Sequence, residues 1–217
     1  MLFDPLRLAI ALVPLAAYLA VVGAINLRRR PFLTSGACDL AALGVALTGL
    51  AIVGPIELFM PEAAAIRFGN YVWVFLLVFY WLCLSLIVLL ARPRIVVYNV
   101  TVEELRPVLA GVVGPLDADA RWAGDALTLP SLGMQLHMDV FSMMRCVSLV
   151  ASGAQQNLPN WRRLETQLAA ALAKLPVRRN RRGAVMVALA ALLALAALTH
   201  LLANPRAVAQ SMNELWW

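Results

Sequence analysis

The residues whose types invite chemistry fall into three groups, and the first lies inside apolar runs. Glu57 sits within GPIELFMPE, His200 within ALTHLLA and Arg7 within DPLRL. An ionisable side chain in a spanning segment is costly to keep there and usually pairs or handles an ion. Glu57 with Arg7 or His200 is therefore the expected intramembrane polar cluster. It would be a structural ion pair, side chains snorkelling to the headgroups, or the carboxylate of a proton or substrate path. A path needs further polar groups, and the deeper positions offer mainly Tyr18, Thr48 and Ser85. Asp39 follows Ser35 and Gly36, where a carboxylate in a first helical turn complements the helix dipole.

The second group lies in the polar stretch. His137 and Asp139 alternate along MQLHMDV, and Asp117, Asp119 and Asp125 lie in adjoining turns. Two-residue spacing on a strand sets two metal ligands side by side, but a solvent-facing strand shows the same pattern. Ser142 is too near these residues in sequence to complete a triad with them. The chain carries no GxxxxGK[ST], HExxH or GxSxG motif and no glycine-rich dinucleotide fingerprint. Cys38, Cys83 and Cys146 are far apart without CxxC spacing, which fits small buried hydrophobes. No catalytic, cofactor-binding or metal-ligating residue is assigned, and no cofactor is expected.

The third group is basic. Arg28, Arg29 and Arg30 follow one apolar run, and Arg178, Arg179, Arg181 and Arg182 precede another. Arginines flanking spans set membrane topology and meet anionic headgroups. They explain the net charge of +6 and the pI near 9.9. Without its flanking arginines, segment 92–183 sets six basic residues against seven acidic ones. That near neutrality argues against nucleic acid as a partner.

The elements that position these residues follow from composition. The 217 residues are 62% hydrophobic and 14% charged, with a mean hydropathy of +0.79. Soluble chains are about half apolar and a quarter charged. The apolar excess falls in four runs, 6–27, 37–60, 71–91 and 184–203, each near the ~20 residues that cross a bilayer as a helix. Lipid offers the backbone no hydrogen-bond partner, so each run must be helical. Pro55 interrupts the second. The first is long and ends in an Arg triplet, which fits an uncleaved anchor. Small residues at four-residue spacing, Ala16, Ala20 and Ala24, and Gly44 with Thr48, suit close helix approach or self-association.

Between the third and fourth runs lies a polar domain. Ile95–Asn99 is β-rich. Thr101 and Glu104 have capping-box spacing before a helix with Val102, Leu105, Leu109 and Val112 on one face. Pro107 should kink or delay that helix. Gly124–Asp125 marks a hairpin between strands at about 120–123 and 126–129, and Pro130–Gly133 a further turn. Met134–Val140 alternates, and Arg145–Ala151 reads as the next strand. Asn157–Leu175 carries a stripe of Trp161, Leu164, Leu168, Leu172 and Leu175. The order strand, helix, four-strand meander, helix resembles one half-repeat of the TATA-binding fold, a likeness of element order alone that transfers no function.

The expected fold is thus a membrane α-helical protein with four transmembrane helices and an inserted cytoplasmic α+β domain. Residues 1–91 form a three-helix transmembrane region, 92–182 the domain, and 183–217 the fourth helix with a short outer tail. Nine arginines lie on the 28–36 loop and the edges of 92–183, against Arg7, Arg67 and Arg206 on the other side. The positive-inside rule then places the domain in the cytoplasm and both termini outside an inner membrane, with the Trp pair of NELWW at the outer interface. The expected function is a non-enzymatic scaffold, assembly or regulatory subunit that works through the bilayer and other membrane or cytoplasmic proteins. Two other expectations are a small oligomeric transporter or channel subunit using Glu57, and a membrane enzyme acting on a lipid-type substrate through His137, Asp139 and the arginine cluster near the headgroups.

Overall fold

The computed structural model describes residues 4–56, 68–69, 71–153 and 157–216. Among them four helices are long and apolar enough to cross a membrane. They are α1 (Pro5–Leu27), α2 (Gly36–Ala51, continuing to Gly54), α3 (Tyr71–Leu90) and α6 (Arg181–Ala203). Their side chains leave much apolar surface open. Leu89 is 81% exposed and Leu90 and Leu202 are each 72% exposed, as a lipid-facing helix requires and a soluble one avoids.

The chain divides into two compact units. The first comprises Met1–Val22, Leu40–Leu89 and Val185–Trp217. Small residues set its helix packing. A Cβ on Gly49 would land on the carbonyl oxygen of Ile10, so α2 can pass this close to α1 only with glycine there. Gly44 faces the Leu84 side chain, and its carbonyl accepts from Tyr80 Oη at 2.7 Å and Thr48 Oγ1 at 3.1 Å. Of the alanine stripe on α1, Ala16 is buried, whereas Ala20 is half-buried and Ala24 exposed. The second apolar run leaves regular helix earlier than expected. After Ala51 the backbone opens into a π-type turn, Ile52–Ile56, because Pro55 has no N–H to bond to the carbonyl four residues back. The C-terminal tail, expected as a short outer segment, is a helix, α7 (Pro205–Trp216). Pro205 suits a first helical position, and Val208 N–H closes the first turn on Asn204 O at 3.1 Å.

The second unit, Gly23–Asp39 with Leu90–Ala184, holds an antiparallel six-stranded sheet. Its strands are β1 (Phe32–Ser35), β2 (Arg94–Tyr98), β3 (Arg121–Ala123), β4 (Ala126–Leu129), β5 (Met134–Phe141) and β6 (Cys146–Ala151), in the order β1-β2-β6-β5-β4-β3. Five of the six were expected. The sixth, β1, comes from the nine-residue loop between the first two apolar runs. It pairs Leu33 with Val97 and Phe32 with Tyr98. Four residues carry no periodicity of their own, so only pairing with β2 makes them a strand.

Two helices cover one sheet face. α4 (Val102–Leu116) begins at a complete capping box: Thr101 Oγ1 accepts from Glu104 N–H, and Glu104 Oε2 accepts from Thr101 N–H at 3.0 Å. It runs through Pro107 without a break. α5 (Leu158–Leu172) is capped by Asn157. Leu105, Leu109 and Val113 from α4 and Trp161, Leu164, Leu168 and Leu172 from α5 bury against Ile95, Val97, Leu127, Leu136, Met138, Val147 and Leu149. Along β5 the expected alternation holds through Met138, but Val140 is 50% exposed.

Candidate functional site

The chain runs that carry the arginines meet at one place in the second unit. Arg28 follows α1 directly, and Arg181 opens α6. Val177 N–H bonds to Arg29 O at 3.0 Å, and Asn180 N–H bonds to Asn26 O at 3.1 Å. Two segments some 150 residues apart in sequence thus lie side by side, running antiparallel. Arg28, Arg29, Arg30, Arg178, Arg179, Arg181 and Arg182 are all exposed around this pairing. Among the described residues, no carboxylate lies within ion-pair distance of Arg28, Arg29, Arg30, Arg178, Arg179 or Arg181.

Buried amides hold the two segments together. Asn26 is fully buried and Asn180 is 7% exposed; Asn180 Nδ2 donates to Asn26 Oδ1 at 3.2 Å. Asn180 Oδ1 accepts from Arg182 N–H at 3.1 Å, capping the first turn of α6. Asn99, also fully buried, donates from Nδ2 to Arg28 O at 2.7 Å. Its φ of 59° is left-handed, a region asparagine tolerates better than most side chains. Arg145 stands on the other flank. Nη1 reaches Arg178 O at 3.5 Å, and Nη2 meets Glu104 Oε2 at 2.7 Å. Gly183 is needed here too: a Cβ would lie 2.8 Å from Gly23 O and 2.9 Å from Asn26 Cβ.

A second polar knot ties the start of α2 to β2. Asp39 Oδ1 accepts from Tyr98 Oη at 2.5 Å, and Asp39 Oδ2 meets Arg94 Nη2 at 3.2 Å. Cys146 lies opposite Tyr98 on the neighbouring strand. Burial first, and then the Asp39 charge, push its thiol up to about 11, partly countered by Arg94. It is therefore an un-ionised, inert thiol.

The other candidates have the following partners among the described residues. Arg7 lies 3.3 Å from Asp4, within its own helical turn. The His200 ring is engaged by Asn204 Nδ2 at 3.1 Å, also local. Glu57 lies outside the described residues. His137 Nε2 and Asp139 Oδ1 are 3.6 Å apart, with half or more of each side chain exposed on an open sheet face. Asp117 accepts from Asp119 N–H at 3.0 Å and from Ser131 N–H at 2.9 Å, so it organises two turns. Asp125 instead pairs with Arg106. Among the described residues no three His, Cys, Asp or Glu side chains gather to hold a metal.

Sequence reasoning singled out the arginines but not their partnership. It missed Asn26, Asn99 and Asn180 altogether. Their one signal is an amide at or beside the end of an apolar run, which is common. No family model, curated protein or solved structure matches this chain.

Proposed function

We propose that this chain is a multi-pass inner-membrane protein that holds its α+β unit firmly at the cytoplasmic face and presents it to protein partners. It would serve as a scaffold, assembly or regulatory subunit, with both termini outside. The observation that carries this reading is β1. The loop between α1 and α2 is an edge strand of the same sheet as residues 94–151. One of the chain segments that join this unit to the apolar helices is thus itself a strand of its sheet. A sheet that draws a strand from between two apolar helices suits a domain that works at the membrane. It also supports placing the 28–30 and 178–182 arginines on one side, as the positive-inside rule asks.

Affinity capture of the full chain after mild solubilisation is expected to recover one or a few proteins in constant ratio. Capture should weaken when exposed residues of the open sheet face, His137 and Phe141, are replaced by Ala. A monodisperse preparation with no co-purifying protein, under conditions that preserve other membrane complexes, overturns the reading.

A further inference from the structure

We propose that the paired segments 28–30 and 178–182 form one clamp for the phosphate of an anionic phospholipid headgroup, with guanidiniums from both runs on the same headgroup. The proposal does not depend on the docking role above. Four observations converge on it. Seven exposed arginines come together by backbone pairing of segments distant in sequence. Six of them lack a carboxylate within ion-pair distance among the described residues. Like charges carried on neighbouring segments raise the local positive potential, which an anion among them relieves. The buried Asn26–Asn180 pair, the Asn99 amide on Arg28 O and the Gly183 close approach hold the runs together regardless. Finally, α6 opens at Arg181, so its N-terminal dipole adds to the same field.

The ligand class follows from covalent position. Arg28 is the residue after a 23-residue apolar helix, and Arg181 is the first of another. Spans of that length end near the headgroups. Guanidinium pairs phosphate oxygens bidentately, which a lysine ammonium cannot do. Topology alone requires positive charge on each flank. It does not require the two flanks to meet. Because they meet only in the folded unit, a headgroup bound across them stabilises that fold by linkage.

The test uses the full chain in a neutral detergent and the thermal unfolding midpoint as readout. Phosphatidylglycerol and diphosphatidylglycerol should raise the midpoint in a salt-sensitive, saturable way. Phosphatidylcholine with the same acyl chains should not. Each arginine replaced by Gln should weaken the apparent lipid affinity about fivefold, the equivalent of roughly 1 kcal/mol. Replacing one from each run (Arg29→Gln with Arg178→Gln) should cost more than replacing two from one run (Arg178→Gln with Arg179→Gln).

Should the Gln variants insert wrongly, Arg→Lys variants keep the flanking charge and should still lose affinity. Equal stabilisation by phosphatidylcholine overturns the proposal, as does full affinity in both the Gln and the Lys variants. Loss that follows total charge alone, indifferent to which run is altered, overturns the clamp. Inorganic phosphate matching the lipid effect at equal phosphate concentration overturns the lipid assignment in favour of a free-anion site.

Discussion

At the scale of single residues, the polar side chains of the second unit mostly organise backbone. Asp117 is 2% exposed. Burial would raise its carboxyl, but hydrogen bonds from the Ser131 side chain and from the backbone N–H groups of Asp119, Ser131 and Leu132 outweigh that and hold it below its ordinary 3.8. A carboxyl with a depressed folded pKa contributes stability above its unfolded pKa, and that contribution is lost as pH falls through the folded value. The unit should therefore lose stability below about pH 4. Asp117→Asn should be less stable at neutral pH and flatten that acid slope, as measured by denaturation of the detergent-solubilised chain. Tyr98→Phe removes the hydroxyl from Asp39 and should cost about 1 kcal/mol. The loss should shrink in an Asp39→Asn background if the two act as one knot. The Cys146 thiol, pushed up to about 11, should resist maleimide at pH 8 until the unit is unfolded. Labelling of Cys146 in the folded chain would contradict its burial beside Tyr98 and Asp39.

At the scale of elements, two glycines that look alike in sequence separate by context. Gly111 lies inside α4, and a Cβ there meets nothing within 4 Å. Gly111→Ala should stabilise the chain by about 0.5–1 kcal/mol, through helix propensity and a less disordered unfolded state. At Gly183 the same change drives a Cβ against Gly23 O and Asn26. Gly183→Ala should destabilise by about 1–3 kcal/mol, as overpacking does, and loosen the pairing of 177–180 with 26–29. Thermal midpoints of the two variants, expected to move in opposite directions, check this. The elements themselves were largely legible. The capping box at Thr101 and Glu104, the Gly124–Asp125 hairpin and the Trp161–Leu172 stripe are local patterns whose spacing dictates their structure. β1 was not legible, because PFLTSG has neither alternation nor length. Its strand character comes from the edge that β2 offers.

At the scale of the whole molecule, the proposed topology makes a direct prediction. In a background without native cysteines, a cysteine replacing Asp125 should react with an impermeant thiol reagent only from the cytoplasmic side. One replacing Gln210 should react only from the outside. Reaction of the cysteine at 125 from outside would reverse the orientation and with it the docking proposal. The element order expected from the sequence covers five strands and two helices. The sixth strand is drawn from between two apolar helices, which that order did not foretell.

Composition and hydrophobic run length alone determined that four helices suit a bilayer, because the cost of placing ~20 apolar residues in water depends on how many they are and little on what surrounds them. Local spacing likewise determined most of the α+β unit. Only the tertiary structure decided that the Arg28–Arg30 and Arg178–Arg182 runs are neighbours, that buried asparagines stitch them, and that the 28–36 loop joins the sheet. Those are contacts between segments some 60 to 150 residues apart, and no periodicity within a segment encodes which distant backbone its hydrogen-bonding groups will meet.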